Sequence, residues 1–159
     1  MIKENINDFF NDTQRIGPFL GIDLGEKRVG LSISDRTQSI ASNYATIEKK
    51  KFSLFSLDLQ AIIDKEIICG IVIGLPLNMD GSEGPKCQST RHFAKNFSTI
   101  VNLPITFWDE RLTTVAAERS LLSADLSRKK RKRVVDSVAA VLILQNLLDR
   151  LKYIQHKNT

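Results

Sequence analysis

The pattern of apolar and polar residues predicts a sheet whose first strands are joined by turns and whose last strands are separated by helices. Alternating or apolar segments at 18–24, 28–34 and 39–47 are typical of three antiparallel strands with short connections. Apolar runs at 67–73 and 103–109 are typical of buried parallel strands. The chain therefore begins as a meander and continues as alternating helix and strand.

Four segments have apolar residues at helical spacing and supply the helices of this arrangement. In chain order, they cover 53–65, 86–99, 113–123 and 134–151. Because a helix between parallel strands crosses one face of the sheet, we predict an α/β fold consisting of a five-stranded mixed β-sheet with helices on both faces. Residues 18–152 form one domain, between an N-terminal extension (1–17) and a polar tail (153–159).

Charge and cysteine usage narrow the class of partner and the compartment. The formal net charge of +5 and the pI of about 9.3 favour an anionic partner, nucleic acid before a membrane surface. No apolar run approaches the roughly 18 residues that span a bilayer, so we expect no membrane partner. Cys69 and Cys87 have neither metal-ligand spacing nor a framework partner. We therefore expect free thiols in a reducing, cytoplasmic compartment.

Three acidic residues lie at places where a charge needs an explanation. Asp23 lies inside an apolar strand, where a carboxylate is costly unless it is paired, hydrogen-bonded or bound to a metal. Glu110, with Asp109 beside it, follows the last strand, and Asp136 heads the face of the last helix that should pack on the sheet. If these acids converge, Mg²⁺ or Mn²⁺ would offset their repulsion. Two such ions about 3.5–4 Å apart can activate a water and stabilise the leaving oxygen in phosphodiester cleavage.

Structural explanations for the same acids stay open at this point. Asp136, near the predicted helix start, could serve only the helix dipole. Asp109 or Glu110 could be an ordinary acid at the end of a strand. Asp23 is the hardest of them to explain without a ligand, because its neighbours in the strand are apolar.

Six consecutive cations at 128–133 lie just before Asp136. Such a run is usually a solvated loop. Its position beside a candidate acid favours contact with a phosphate backbone instead.

Four motifs follow one another in a distinctive order. They are GIDLGEKRVGLSISD (21–35), GLPLNMDGSEG (74–84), DERLTT (109–114) and KKRKRVVDSVAAVLIL (129–144). In this order they resemble the YqgF, or RuvX, family of ribonuclease H-like proteins, described as Holliday junction resolvases and as nucleases that mature pre-16S ribosomal RNA. The resemblance implies a ribonuclease H-like fold and a metal-dependent nuclease. We expect maturation of the 5′ end of pre-16S rRNA, with resolution of four-way DNA junctions as the alternative.

The same resemblance implies roles for individual residues. Asp23, Glu110 and Asp136 would be the catalytic acids and would bind Mg²⁺ or Mn²⁺. A second set would border the nucleic acid, which is an rRNA precursor or branched DNA. These residues are Lys27, Arg28, Asn78, Arg111, Lys129, Lys130, Arg131 and Lys132.

Two functions of other classes stay open. An ATPase of the actin and sugar-kinase type shares the fold and opens with a similar D-x-G hairpin, but it needs two such domains and this chain has room for one. A non-catalytic nucleic-acid-binding module would also keep the fold and the basic run. Nucleotide binding would reveal the first, and the lack of metal-dependent cleavage would reveal the second.

The N-terminal extension departs from the pattern of the family, which usually begins almost at the first strand. Residues 1–17 either cover the substrate groove or mediate self-association. In the second case a homodimer is expected.

Replacing Lys129, Lys130, Arg131 and Lys132 by Ser should weaken nucleic-acid binding equally for all sequences. These cations neutralise phosphates and release counterions, so the variant should flatten the slope of log affinity against log salt by up to about 3. Titrations of labelled RNA and DNA at several salt concentrations measure both quantities. If affinity and slope are unchanged, the run is only a solvated surface.

Overall fold

A computed structural model of the chain describes residues 1–14, 16–112 and 128–157, with the backbone alone over 128–137. The helix predicted at 113–123 lies outside these residues. The strands are β1 (Phe19–Leu24), β2 (Arg28–Ser34), β3 (Ala41–Glu48), β4 (Gly70–Leu75) and β5 (Ile105–Asp109). They form one sheet in the order β3-β2-β1-β4-β5.

The pairing directions agree with the pattern of the sequence. β2 pairs antiparallel with both β1 and β3, as the two short connections require. β4 is parallel to β1 and to β5, and a helix precedes both β4 and β5, as connections to parallel strands require. The prediction of a five-stranded mixed sheet is therefore confirmed.

Helices cover both faces of the sheet. They are α1 (Ile6–Asp12), α2 (Phe52–Glu66), α3 (Pro85–Ser98) and α4 (Arg128–Lys157), and a short 3-10 turn, Glu110–Leu112, follows β5. α2 and α3 share a core with one face of the sheet, whereas α1 and α4 share a core with the other. None of the helices in the described part of the chain has the length and hydrophobicity of a membrane span.

Alternation along β1 divides its side chains between these two cores. Leu20 and Ile22 belong to the core under α2 and α3, whereas Phe19 belongs to the core under α4. The same alternation puts Gly21 on the α4 face, where Leu144 and the Ala140 carbonyl lie next to it. Each odd-numbered position of β1 therefore faces α4.

α4 packs on the sheet at close range because Gly21 has no side chain. The Ser32 hydroxyl, on the neighbouring strand, donates a buried hydrogen bond of 2.6 Å to the carbonyl oxygen of Ala140. A Cβ at Gly21 would overlap the Ser32 hydroxyl and would lie 2.9 Å from Cβ of Leu144. Because interiors are close-packed, even one methyl group here would force the helix away from the sheet.

The predicted strand at 67–73 begins three residues too early. Ile67 has a φ of 55° and ends α2 in the left-handed conformation, with its side chain 75% exposed. The Ile68 amide then donates to the carbonyl of Ile63, a bond typical of a helix C-terminus. An apolar run does not show where a helix ends and a strand begins, because apolar residues occur in both.

α4 begins at Arg128, six residues before the predicted start at residue 134, so the basic run is helical and not a loop. Asp136 consequently lies more than two turns inside the helix. Since the influence of the helix dipole is confined to the first turn, the dipole does not explain this acid.

The N-terminal extension packs against the sheet. Phe9 in α1 is fully buried, with its ring centroid 5.6 Å from that of Phe19. Ile2 forms a parallel bridge with Ile105, and the Lys3 amide donates to the Ile105 carbonyl at 2.7 Å. Residues 1–3 therefore lie along the open side of β5.

Gly21→Ala should lower the free energy of unfolding by roughly 2 kcal/mol or more, because the new methyl group overpacks the α4 contact. Gly84→Ala is the matched control, since a Cβ there would meet Asn78 only at 3.4 Å. The control should cost about 1 kcal/mol, the typical cost of placing Ala at an N-cap. Urea denaturation compares the two variants. Equal effects would show that α4 does not depend on the bare Cα of Gly21.

Candidate active site

Two of the three candidate acids lie at one edge of the sheet. The parallel strands β1, β4 and β5 end together at this edge, where ligands commonly bind in α/β proteins. Asp23 is the penultimate residue of β1, and Glu110 directly follows β5. Asp23 is 5% and Glu110 8% exposed, and both line one cavity of about 650 Å³.

Both carboxylates lie on the α4 face. Asp23 alternates with Ile22 and so shares the face of Gly21. Glu110 lies two positions after Trp108, which belongs to the core under α4. Asp109 lies at the alternate position, and its carboxylate pairs with Arg111 at 2.8 Å. Of the two adjacent acids, Glu110 is therefore the one that shares the face of Asp23.

Gly74 makes room for the Glu110 carboxylate. Gly74 pairs with Trp108 on β5, and in the register of β1 and β4 it is the next position after the pair Ile22 and Ile73, beside Asp23. A Cβ on Gly74 would lie 2.9 Å from Oε1 of Glu110. The Glu110 side chain therefore reaches across β4 toward β1. Sequence reasoning missed this residue, although a glycine inside a branched apolar strand signals close approach.

The backbone of α4 carries Asp136 toward the same edge. The Gln145 side chain accepts from the Ala41 amide at 2.8 Å, and Ala41 pairs with Ser34, beside the beginning of β1. Since Ala140 lies over Gly21, the helix runs from the end of β1 toward its beginning. Asp136 lies one turn before Ala140, on the Asp23 side. Its side chain lies outside the described residues.

The donor set fits a hard divalent cation. Asp23 and Glu110 offer carboxylate oxygens, the ligands that Mg²⁺ and Mn²⁺ prefer. Among the described side chains, no three acidic, histidine or cysteine residues form a metal-binding group. The backbone of Asp136 lies toward the same edge. Asp136 is therefore the candidate for a third ligand.

Asn78, in the loop after β4, and Arg111, in the 3-10 turn after β5, were both predicted to border nucleic acid, and Arg111 contacts the loop that contains Asn78. Arg111 donates to both carboxylate oxygens of Asp109 and, at 3.4 Å, to the Met79 carbonyl. The Asn78 amide donates to the Ser82 hydroxyl at 3.0 Å. The Arg111 guanidinium holds the pKa of Asp109 below its usual range. Both residues therefore also shape the loop.

The predicted basic residues occupy two places. Lys27 is exposed in the β1–β2 turn. Arg28 alternates with Val29 and so faces α4, and within the described chain its buried Nη1 has no hydrogen-bond partner. Lys129, Lys130, Arg131 and Lys132 lie in the first turns of α4, where only the backbone is described.

Comparison with known proteins identifies the family. A family model described as "RuvX: Holliday junction resolvase" matches residues 17–150. The chain belongs to the RuvX family. Membership confirms the family predicted from the four motifs. A relative from Ruegeria pomeroyi, named "Putative pre-16S rRNA nuclease", is 52% identical over 96% of this chain and 99% of its own length. One with the same name from Rhodobacter capsulatus is 53% identical, over 97% of each chain.

A solved structure supports the fold of this RuvX-family chain. T. thermophilus RuvC in complex with Holliday junction substrate superposes with a TM-score of 0.54 at 10% sequence identity. The match covers 85% of this chain and 96% of RuvC. This superposition over most of both chains confirms the predicted ribonuclease H-like fold. At 10% identity, the match supports the fold alone.

Arg111→Met should raise the pKa of Asp109 toward its usual range, because the guanidinium that stabilises the charged carboxylate is lost. Stability that depends on this charge is present above the pKa of an unfolded aspartate and is lost as the pH falls through the lower folded value. Carboxyl ¹³C NMR titration measures the pKa directly. Arg91→Met is the control, because Arg91 pairs with Glu4 and Glu83 and should leave Asp109 unaffected. An unchanged pKa in Arg111→Met would contradict the assignment.

Proposed function

We propose that this protein is a metal-dependent nuclease that hydrolyses a phosphodiester bond during maturation of the 5′ end of pre-16S rRNA. The observation that carries the proposal is the pair of buried carboxylates, Asp23 and Glu110, on one face at the carboxyl edge of the sheet. Carboxylate oxygens gathered in this way are the ligands that Mg²⁺ and Mn²⁺ prefer. The names of the relatives that match nearly the whole chain support the RNA substrate.

Each residue of the proposed site has a physical task. Asp23 and Glu110, with Asp136, would hold Mg²⁺ or Mn²⁺, and Gly74 keeps the space that the Glu110 carboxylate occupies. The bound metal would supply an activated water and stabilise the charge on the leaving oxygen. Arg28, on the same face, has a buried donor that suits a phosphate oxygen.

The remaining basic residues would orient the strand to be cut. Lys27 is exposed at the edge of the site, and Lys129, Lys130, Arg131 and Lys132 come from the beginning of α4. Contacts of this kind fix the backbone of a nucleic acid without reading its sequence. Specificity must therefore come from the shape or the strandedness of the substrate.

Resolution of a four-way DNA junction is the second candidate function. The description of the matching family model favours it. The same carboxylates and metal would hydrolyse either phosphodiester, so the geometry of the acids does not separate RNA from DNA. Purified protein offered an rRNA precursor and a four-way junction side by side, with Mg²⁺ or Mn²⁺, distinguishes the two.

Asp23→Asn, Glu110→Gln and Asp136→Asn should each lower cleavage by orders of magnitude while binding of nucleic acid stays intact. Each change nearly preserves shape and removes one charged metal ligand, which weakens metal binding and misplaces the water. Single-turnover cleavage, nucleic-acid titration and Mn²⁺ binding by electron paramagnetic resonance give three separate readouts. Thermal stability without metal should be kept or gained, because one like charge is gone.

Asp109→Asn is the matched control for Glu110→Gln, since the two acids are adjacent and face opposite sides. It should affect cleavage and Mn²⁺ binding much less. If Asp109→Asn abolished cleavage and Glu110→Gln did not, the assignment of the strand face would be wrong. If all three charge-removing variants kept metal-dependent cleavage, the proposed site would be wrong. If the wild-type protein bound nucleic acid without cutting it, the chain would be a binding module.

A further inference from the structure

The cavity that Asp23 and Glu110 line at the carboxyl edge of the sheet is also lined by aromatic residues of α2 and α3. Its volume of about 650 Å³ lies within the range of roughly 300–1,000 Å³ that small-molecule sites occupy. Phe52 and Phe93 line it together with Asp23 and Glu110. The site already described uses only the two acids.

One of the aromatic rings in this cavity, that of Phe52, is partly exposed and lies outside the core. Phe93 stacks on Phe97 with ring centroids 5.5 Å apart, and it also contacts Phe55 at 5.5 Å. Phe55 and Phe97 are 2% and 0% exposed, so they belong to the core. Phe52, at the first residue of α2, packs edge-to-face against Phe93 at 5.9 Å and stays 37% exposed. The supporting rings hold Phe52 in place at the surface of the cleft.

Three lysines, Lys49, Lys50 and Lys86, line the same cleft. Lys50 pairs with Asp58 at 3.3 Å and Lys86 with Glu26 at 3.8 Å, both through largely exposed side chains. Exposed pairs of this kind contribute little, so the ammonium groups can exchange their partners for phosphate oxygens. The sequence alone gives Lys49 and Lys50 no sign of this role, because nothing local shows that aromatic rings lie next to them.

We infer that this cleft binds one unpaired nucleotide adjoining the phosphodiester to be cut, with its base stacked on Phe52 and its phosphate held by Lys49, Lys50 and Lys86. Exposed aromatic rings beside a row of cations are the combination that binds single-stranded nucleic acid. The charges of the three lysines complement phosphate, and the cleft is continuous with the acids.

The inference deepens the proposed function and rests on it, because it names the strandedness of the substrate. Bases inside a duplex are already paired and stacked, so they reach an aromatic ring in a cleft only after leaving the helix. An unpaired base has no such cost. The protein should therefore select a substrate that is single-stranded at the position next to the cut.

The test compares binding of a short fluorescent single-stranded RNA with binding of the same RNA in a duplex, in EDTA so that no cleavage occurs. Phe52→Leu keeps an apolar contact with Phe93 but removes the ring, and should weaken single-strand binding about tenfold with little change for the duplex. Phe52→Trp should restore it. Leu57→Ala is the matched control, because Leu57 is 60% exposed on the same helix and does not line the cleft. A 2-aminopurine base in the RNA reports stacking, and the same oligonucleotide as DNA tests the sugar.

The results separate this inference from the proposed function. A loss of single-strand preference in Phe52→Leu alone, with a matching change in 2-aminopurine fluorescence, supports the subsite. If Phe52→Leu and Leu57→Ala bind alike while the wild-type protein cleaves with Mn²⁺, the subsite is wrong and the nuclease stands. If Phe52→Leu loses single-strand binding but the wild-type protein never cleaves, the subsite stands and the nuclease is wrong. Thermal denaturation of each variant shows whether it is folded.

Discussion

The hydrogen bond from the Ser32 hydroxyl to the Ala140 carbonyl, made over the bare Cα of Gly21, sets the distance between α4 and the sheet. The rest of the site depends on that distance. At this short distance Ile143 packs over Gly74, and α4 stays close to β1 and β4. A buried polar contact of this kind has one satisfactory geometry, because the hydroxyl would otherwise lose its partner in an apolar core. It therefore fixes the helix more narrowly than hydrophobic contacts alone would.

Much of the fold could be predicted because its signals are local. The hairpin composition around Gly25, the alternation in β2 and the apolar run before Gly74 each report on a few neighbouring residues. The family motifs added the identity of the fold as ribonuclease H-like. The predicted element boundaries were wrong where a local pattern fits two structures. At Ile67, an apolar residue fits either the end of a helix or the start of a strand.

The candidate site was predictable only in part, for a related reason. Asp23 is conspicuous in the sequence because it is a charge among apolar residues, and Glu110 because it directly follows an apolar strand together with Asp109. What brings them to one face is the register of β1, β4 and β5, which depends on residues far apart in the chain. The role of Gly74 and the meeting of Phe52 with Phe93 also follow from packing between distant elements. A single sequence carries no local sign of such contacts.

The strand-like segment at residues 1–3 has a consequence for assembly. An unpaired outer strand offers a row of amide and carbonyl groups that another chain can extend, and natural sheets commonly protect it. Here the Lys3 amide and the Met1 carbonyl bond with Ile105, and the Thr106 hydroxyl donates to the Lys3 carbonyl. Another molecule could add a strand beside β5 only after peeling this segment away. The extension thus blocks the addition of strands from other molecules at this side of the sheet.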